Sequence, residues 1–192
     1  IVTHTGSFNG KRISCISTGM GTDNIDIVIN ELDAAANIDL QNKEVNKAHR
    51  QLSFIRLGTS GALQADIQVD SFLASSHGLG FDGLLHYYQN TEAFTFNPFV
   101  ESFLEQTQWS TRLPRPYIVE GSAELINKAK ALGLKTGVTA TASGFYGPQG
   151  RELRLSVQQK DLNEKISKFS HQDLKITNFE METSGLFGLS KL

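Results

Sequence analysis

The sequence predicts an α/β layered domain, with helices on both faces of a mainly parallel sheet. Two observations carry this. Short β-branched, apolar runs alternate with segments whose apolar residues recur at helical spacing, through most of the chain. The 192 residues, 39% hydrophobic and 20% charged, suffice for one domain (1–192) with a sizeable core. No internal repeat, linker or low-complexity segment divides them.

Residues 1–18 read as a hairpin about Asn9-Gly10, the favoured pair for a two-residue type I′ turn. Its second strand, 12–17, alternates imperfectly through Ile13, Cys15 and Ile16, as expected where both faces are partly buried. Cys15 is the single cysteine, so no internal disulfide can form, and a small buried hydrophobe is its expected role. After Gly19-Met20-Gly21, Thr22 or Asp23 can cap a helix carrying Ile25, Val28, Ile29 and Leu32 on one stripe. The polar stretch 37–50 reads as a loop or a short exposed helix with solvated charges. Strands follow at 52–57, ended by Gly58-Thr59-Ser60-Gly61, and at 69–75. Gly78 to Gly83 is glycine-rich but lacks the spacing of a dinucleotide fingerprint. Asn97-Pro98 opens a helix running to about Gln106. Residues 117–120 form a strand, and Ser122 caps a helix ending at Gly133. A strand at 135–142, a helix at 161–169, a strand at 174–179 and a helix at 183–192 complete the chain. Ile1 falls inside a predicted strand and Leu192 inside a predicted helix. The chain is therefore expected to be a portion of a longer protein, with N- and C-terminal segments missing.

Charge and hydropathy narrow the function. The net charge is −2 and the pI near 6.2, with no basic tract, which argues against nucleic acid as a partner. No apolar run approaches the roughly 20 residues that span a bilayer, and no signal peptide is visible. With a lone cysteine, these features favour a reducing cytoplasmic compartment.

In such folds ligands bind beyond the carboxyl ends of the strands, and four strand ends carry unusual residues. The first is Gly19-Met20-Gly21. In the second, 56–61, a guanidinium inside an apolar strand needs an anion or several acceptors. Thr59 and Ser60 add hydroxyls, and Gly58 and Gly61 let backbone N–H groups approach a ligand. The pattern fits an oxyanion or phosphate site; Arg56 pairing with a buried carboxylate is the equal alternative. The third, Gly144 to Arg151, is broken by Gly144, Gly147, Pro148 and Gly150. If its backbone is extended, Gln149 and Arg151 point the same way and can read a flat heterocycle of alternating carbonyl and N–H groups. Phe145 or Tyr146 can stack on it; a surface turn with a solvated Arg is the bland reading. In the fourth, Glu180 and Glu182 flank Met181. The pair suits acid–base chemistry or acceptance from vicinal sugar hydroxyls, while Glu180 also suits stabilising the dipole of the following helix. His4, His49, His77, His86 and His171 have no ligand spacing, so no metal site is expected. Asp82 and His86 can orient one another across a loop.

Taken in order, Ser-Thr-Gly-Met-Gly at 17–21, Arg-Leu-Gly-Thr-Ser-Gly-Ala-Leu-Gln at 56–64, Phe-Tyr-Gly-Pro-Gln-Gly-Arg at 145–151 and Asn-Phe-Glu-Met-Glu-Thr at 178–183 resemble the nucleoside phosphorylase family, most closely its uridine phosphorylase branch. The resemblance covers essentially the whole chain. It implies a three-layer α/β/α sandwich around a twisted mixed sheet. It implies reversible phosphorolysis of a nucleoside, uridine in the first place, to free base and ribose 1-phosphate, with inorganic phosphate as co-substrate and no cofactor. Arg56 and Thr59 then bind phosphate, with Thr59 also near the ribose. Ser60, Gly61 and Gly21 line the substrate, Met181 packs against the sugar, and Glu182, with Glu180 beside it, holds its hydroxyls. Gln149 and Arg151 read the uracil edge and Phe145 stacks on the base. Arg56, Arg151 and Glu182 are the residues implied in catalysis. The family places further phosphate- and sugar-binding groups before Ile1, two of them from a neighbouring subunit. A homo-oligomer, dimer or hexamer, with shared sites is therefore implied. A catalytic acid of purine-specific relatives falls after Leu192. The Gln149–Arg151 pair favours a pyrimidine. A purine or broad-specificity phosphorylase, a nucleosidase using water, and a silent nucleoside-binding protein are the alternatives. Arg56 argues against the nucleosidase.

Overall fold

The computed structural model describes residues 2–192. In chain order the elements are β1 (Thr3–Phe8), β2 (Lys11–Ile16), α1 (Thr22–Asn37), β3 (Ile38–Asp39), β4 (Glu44–Val45), β5 (Gly61–Ala62), β6 (Leu73–Gly80), α2 (Asn97–Thr107), β7 (Tyr117–Glu120), α3 (Ala123–Ala131), β8 (Lys135–Thr141), α4 (Leu162–Lys168), β9 (Ser170–His171), β10 (Leu174–Glu180) and α5 (Thr183–Leu189). The main sheet runs β5-β10-β8-β6-β7, with β9 paired to β10. The three inner strands β10, β8 and β6 are parallel, while β5, β7 and β9 join antiparallel. The sheet is therefore mixed, as the resemblance implies, rather than mainly parallel at its edges.

Its two faces differ in chemistry. One presents Leu79, Val138, Ala140, Ile176 and Phe179 to α2 and α4, which supply Phe99, Phe103, Leu162 and Ile166. Phe99 and Phe103 meet Phe169 edge-on, with ring centroids 5.0 and 5.2 Å apart. Against the other face lies α5, where Gly78 of β6 leaves room for the Ser184 backbone and Thr141 of β8 hydrogen-bonds to it. Helix α1 closes over α5 through Ile25, Ile29, Leu186 and Leu189. This makes a helix–sheet–helix sandwich.

A bulge sets the phase of β10. Ile176 pairs with Val138 but Asn178 pairs with Thr139, so Thr177 is an extra residue. Ile176 and Phe179 thereby face one core although three residues apart. Glu180 turns to the opposite face, beside Thr141. Without the bulge the two-residue period would aim Glu180 into the phenylalanine core.

Several sequence expectations shift. The hairpin forms, with Asn9 and Gly10 both at positive φ (49° and 74°). It stands off the sheet, so its faces and Cys15 are exposed rather than buried; Ile1 lies outside the described residues. Helix α1 extends over 22–37 without a side-chain cap, and 38–45 forms a small hairpin rather than a loop or helix. Residues 52–57 alternate as predicted, with Leu52, Phe54 and Arg56 half-buried and Ser53, Ile55 and Leu57 exposed, yet form no strand. Extended backbone becomes a strand only with a ladder partner, and none lies beside it among the described residues. The strand expected at 69–75 is β6, displaced to 73–80, because Gly78 and Gly80 are sheet residues packed under α5 and Tyr117. Asn97 is the first helical residue of α2, not its cap. Ser122 does cap α3, accepting from the Leu125 N–H at 3.4 Å.

Candidate active site

Three parallel strands end side by side, and the loops leaving them converge. From β10 come Glu180, Met181 and Glu182, and the Thr183–Ser184 turn begins α5 directly. Glu180 is buried, and both its oxygens are taken. Oε1 accepts from Thr141 Oγ1 at 2.6 Å. Oε2 accepts from the Glu182 and Thr183 N–H groups, each at 2.9 Å, and lies 3.1 Å from Arg56 Nη1. This carboxylate therefore closes the first turn of α5, the helix-terminus role weighed for it, and in addition anchors Arg56. Burial pushes its pKa upward, while the Thr141 hydroxyl and the Arg56 charge oppose that shift.

Glu182, also buried, is the second partner of Arg56, through Nη2. Its Oε1 accepts from the Gly21 N–H at 2.8 Å across 161 residues of sequence. Gly21 reaches it with φ 97°, a backbone state that side chains disfavour, and a Cβ there would crowd the Asp23 carboxylate. The glycine-rich turn and the Glu-Met-Glu segment are thus one unit. Met181 is half-buried between the two carboxylates in sequence.

Arg56 arrives on the inward side of the extended segment 52–57. Of its two readings the structure shows the carboxylate pairing: the guanidinium meets two buried carboxylates, and only one positive charge balances two negative ones. Thr59 and Ser60 follow on exposed backbone. Gly61 then pairs with Phe179, tying this loop to β10 one residue before Glu180.

The loop after β8 completes the cluster. Residues 147–149 make one 3₁₀ turn and Gly150 follows at φ 67°, so Gln149 and Arg151 are not joined by extended backbone. Their side chains meet all the same. Arg151 Nη1 donates to Gln149 Oε1 and, at 2.8 Å, to the Phe145 carbonyl. Its Cζ lies 4.1 Å from the Phe145 ring centroid, a cation–π contact. Gln149 is buried with its amide oxygen towards the guanidinium, so its two N–H donors face away from it. Phe145 and Tyr146 are half-exposed. The Cβ position of Gly61 lies 3.3 Å from Arg151 Nη2, so the phosphate-type and heterocycle-type loops touch. A 530 Å³ cleft bordered by Tyr146, Gly147, Arg151 and the 153–157 segment adjoins them.

Sequence reasoning missed the groups beneath. Asp82 does not orient His86, which meets the Arg115 carbonyl at 2.8 Å instead. Asp82 accepts from Tyr117 Oη at 2.7 and 2.9 Å, from Ser184 Oγ at 2.8 Å and from the Leu84 N–H at 2.8 Å. Burial, reinforced by the Asp82 charge, pushes the Tyr117 hydroxyl well above its ordinary pKa, so it stays a donor. With the Ser184 N–H donating to Thr141 Oγ1 at 2.9 Å, this network underpins Glu180. These residues lie far apart in sequence and carry no local motif; of them the sequence reading singles out only Asp82, with the wrong partner.

The chain is 28% identical to a uridine phosphorylase of Thermococcus kodakarensis over 99% of its length, and 30% identical to one of Haemophilus influenzae over 95%. It covers 56% and 59% of those two proteins. A DeoD-type purine nucleoside phosphorylase of Listeria monocytogenes is 25% identical over 97% of the chain and is 60% covered. Among solved structures, a Trypanosoma brucei nucleoside phosphorylase described as showing uridine phosphorylase activity superposes with a TM-score of 0.81 at 26% identity, covering 98% of this chain and 69% of that one. The sequence profile of the phosphorylase superfamily matches residues 1–191, and the chain belongs to that family.

Proposed function

We propose that this chain is the larger part of a nucleoside phosphorylase that converts uridine and phosphate to uracil and ribose 1-phosphate. The observation that carries the reading is the convergence of Gly21, Arg56, Gly61, Gln149, Arg151, Glu180 and Glu182 in one cluster. It is supported by two uridine phosphorylases among the relatives, one of them 30% identical.

In this reading glycosidic cleavage builds positive charge on the sugar and negative charge on the base. Arg56 and Thr59 hold phosphate under the ring, where its charge stabilises the first. Ser60 and Gly61 line that side. When phosphate draws Arg56 away, a Glu182 oxygen is released to accept from the ribose hydroxyls, and Met181 packs against the sugar. Gln149 donates to one uracil carbonyl and, through the second lone pair of its oxygen, accepts from the ring N–H. Arg151 donates to the other carbonyl and stabilises the leaving base as an oxyanion hole does. Phe145 stacks on the base. Glu180 acts by holding Arg56 and the start of α5. No cofactor is required, because phosphate is the nucleophile. The working protein is a cytoplasmic homo-oligomer in pyrimidine salvage, with further groups from outside this chain.

The test is to incubate the full-length protein with uridine, thymidine and inosine, with and without phosphate, and identify the products. Phosphate-dependent release of uracil fastest of all is the expected result. Preference for inosine supports the purine reading, and release without phosphate supports the nucleosidase.

A further inference from the structure

We propose that Asn163, on α4, is a positioning residue for base selection that clamps the Gln149–Gly150 turn from behind. The proposal rests on the reading of residues 144–151 as the base-recognition loop. Asn163 Nδ2 donates to the Gln149 carbonyl oxygen at 2.8 Å. Only the amide nitrogen can face a carbonyl, so the orientation of Asn163 is fixed. Its Oδ1 is then buried with no hydrogen-bond partner among the described residues. A buried acceptor left alone is disfavoured, so the asparagine is held there by what its other end does.

Gly150 is the counterpart. It sits at φ 67°, and a Cβ there would lie 2.7 Å from Asn163 Nδ2 and 2.9 Å from its Cγ. Asn163 occupies the space that a side chain at 150 would need. Its own backbone is fixed from the other direction, because Leu162 and Ile166 on either side are buried in the phenylalanine core. Gln149 is thereby held at three points: its N–H to the Tyr146 carbonyl at 3.0 Å, its carbonyl by Asn163, and its amide oxygen by Arg151. Asn163 touches no substrate; it aims the residue that does. Displacing a recognition group by about 1 Å can cost on the order of 100-fold in rate, so the clamp belongs to specificity as well as to folding.

The experiment compares Asn163→Asp, which keeps the shape but turns the donor into an acceptor facing the Gln149 carbonyl, with Asn163→Ala, which removes donor and orphaned oxygen together. Two quantities are read: the uridine-to-cytidine ratio of kcat/KM, and amide hydrogen exchange at Gln149, Gly150 and Arg151. In whichever variant folds, the ratio is expected to fall at least about tenfold. Exchange at those three amides is expected to quicken, with the KM for phosphate unchanged. Exchange and ratio both at wild-type values in a folded variant overturn the proposal, as does a loss spread evenly over phosphate and both nucleosides. Gln149→Ala separates the two claims. If it leaves the ratio intact, the base-reading role of the loop is wrong, and amide exchange alone then decides whether Asn163 is a clamp.

Discussion

Arg56 is one positive charge between two buried carboxylates, and in the proposed reading phosphate competes with Glu182 for it. Removing one partner of a buried pair costs about 3–5 kcal/mol, because the others are left uncompensated. Arg56→Ala therefore tests stability as much as binding. Arg56→Lys keeps the charge and loses the fork; it is expected to raise the KM for phosphate at least about tenfold while the KM for uridine moves far less. Steady-state kinetics with both substrates varied read this, and equal shifts contradict it. The two glutamates separate likewise. Once Arg56 leaves, Glu182 Oε2 keeps only the Met181 N–H at 3.3 Å, whereas Glu180 Oε2 keeps two backbone donors at 2.9 Å and its Oε1 the Thr141 hydroxyl. Glu182→Gln is expected to cost uridine more than 2′-deoxyuridine, and Glu180→Gln to cost both alike. Glu180 also makes a pH prediction. Its folded pKa is raised above the ordinary 4.5 by burial, so the folded state holds the proton more tightly than the unfolded chain. Its contribution is most favourable below that ordinary value and is lost as pH rises through the raised one. Urea midpoints of the wild type should fall across this window relative to Glu180→Gln, and a constant difference between the two would show that Glu180 does not titrate there.

At the scale of elements, what was legible in the sequence is what repeats locally. The Asn9-Gly10 turn, the Ser122 cap, the stripe of Ile25, Val28 and Ile29, and β7, β8 and β10 follow from spacing and turn chemistry. What depends on a partner was not legible. The 52–57 segment has a strand's alternation without a ladder, and the hairpin a strand's composition without a cover. The bulge at Thr177 adds a residue that no periodicity announces, yet it turns Glu180 out of the core. Gly78 and Gly80 fall outside the strand expected at 69–75 because their role is close packing under α5 and Tyr117. Gly78→Ala tests this. Its Cβ would meet the Ser184 Cα at 2.8 Å and N at 2.9 Å, so α5 must shift. The expected cost is about 1–3 kcal/mol by urea denaturation, with a loss of kcat, because the start of α5 carries Glu182. Gly6→Ala, with nothing within 4 Å, is the control and should be neutral. A neutral Gly78→Ala would mean that the packing of α5 on β6 is looser than described.

For the whole molecule, the four motifs quoted from the sequence lie in one cluster although Gly21 and Glu182 are 161 residues apart. The order of motifs could be read from the chain; the bonds among them, and Asp82, Ser184 and Asn163 behind them, could not, because they depend on how strands pair and helices dock. Phe8, Ile13, Ile55 and Leu57 are exposed apolar residues that the proposed homo-oligomer would cover. The full-length protein is expected to sediment as a homo-oligomer whose specific activity falls on dilution to monomer; a fully active monomer contradicts shared sites. The carboxyl ends of β10, β8 and β6 are proposed to build one phosphorolytic site. It is tested most directly by ³¹P NMR of the full-length protein incubated with uridine and inorganic phosphate. Ribose 1-phosphate is expected to grow in step with uracil, with no free ribose; free ribose formed at the same rate without phosphate, or uridine left intact, would rule out a phosphorolytic site.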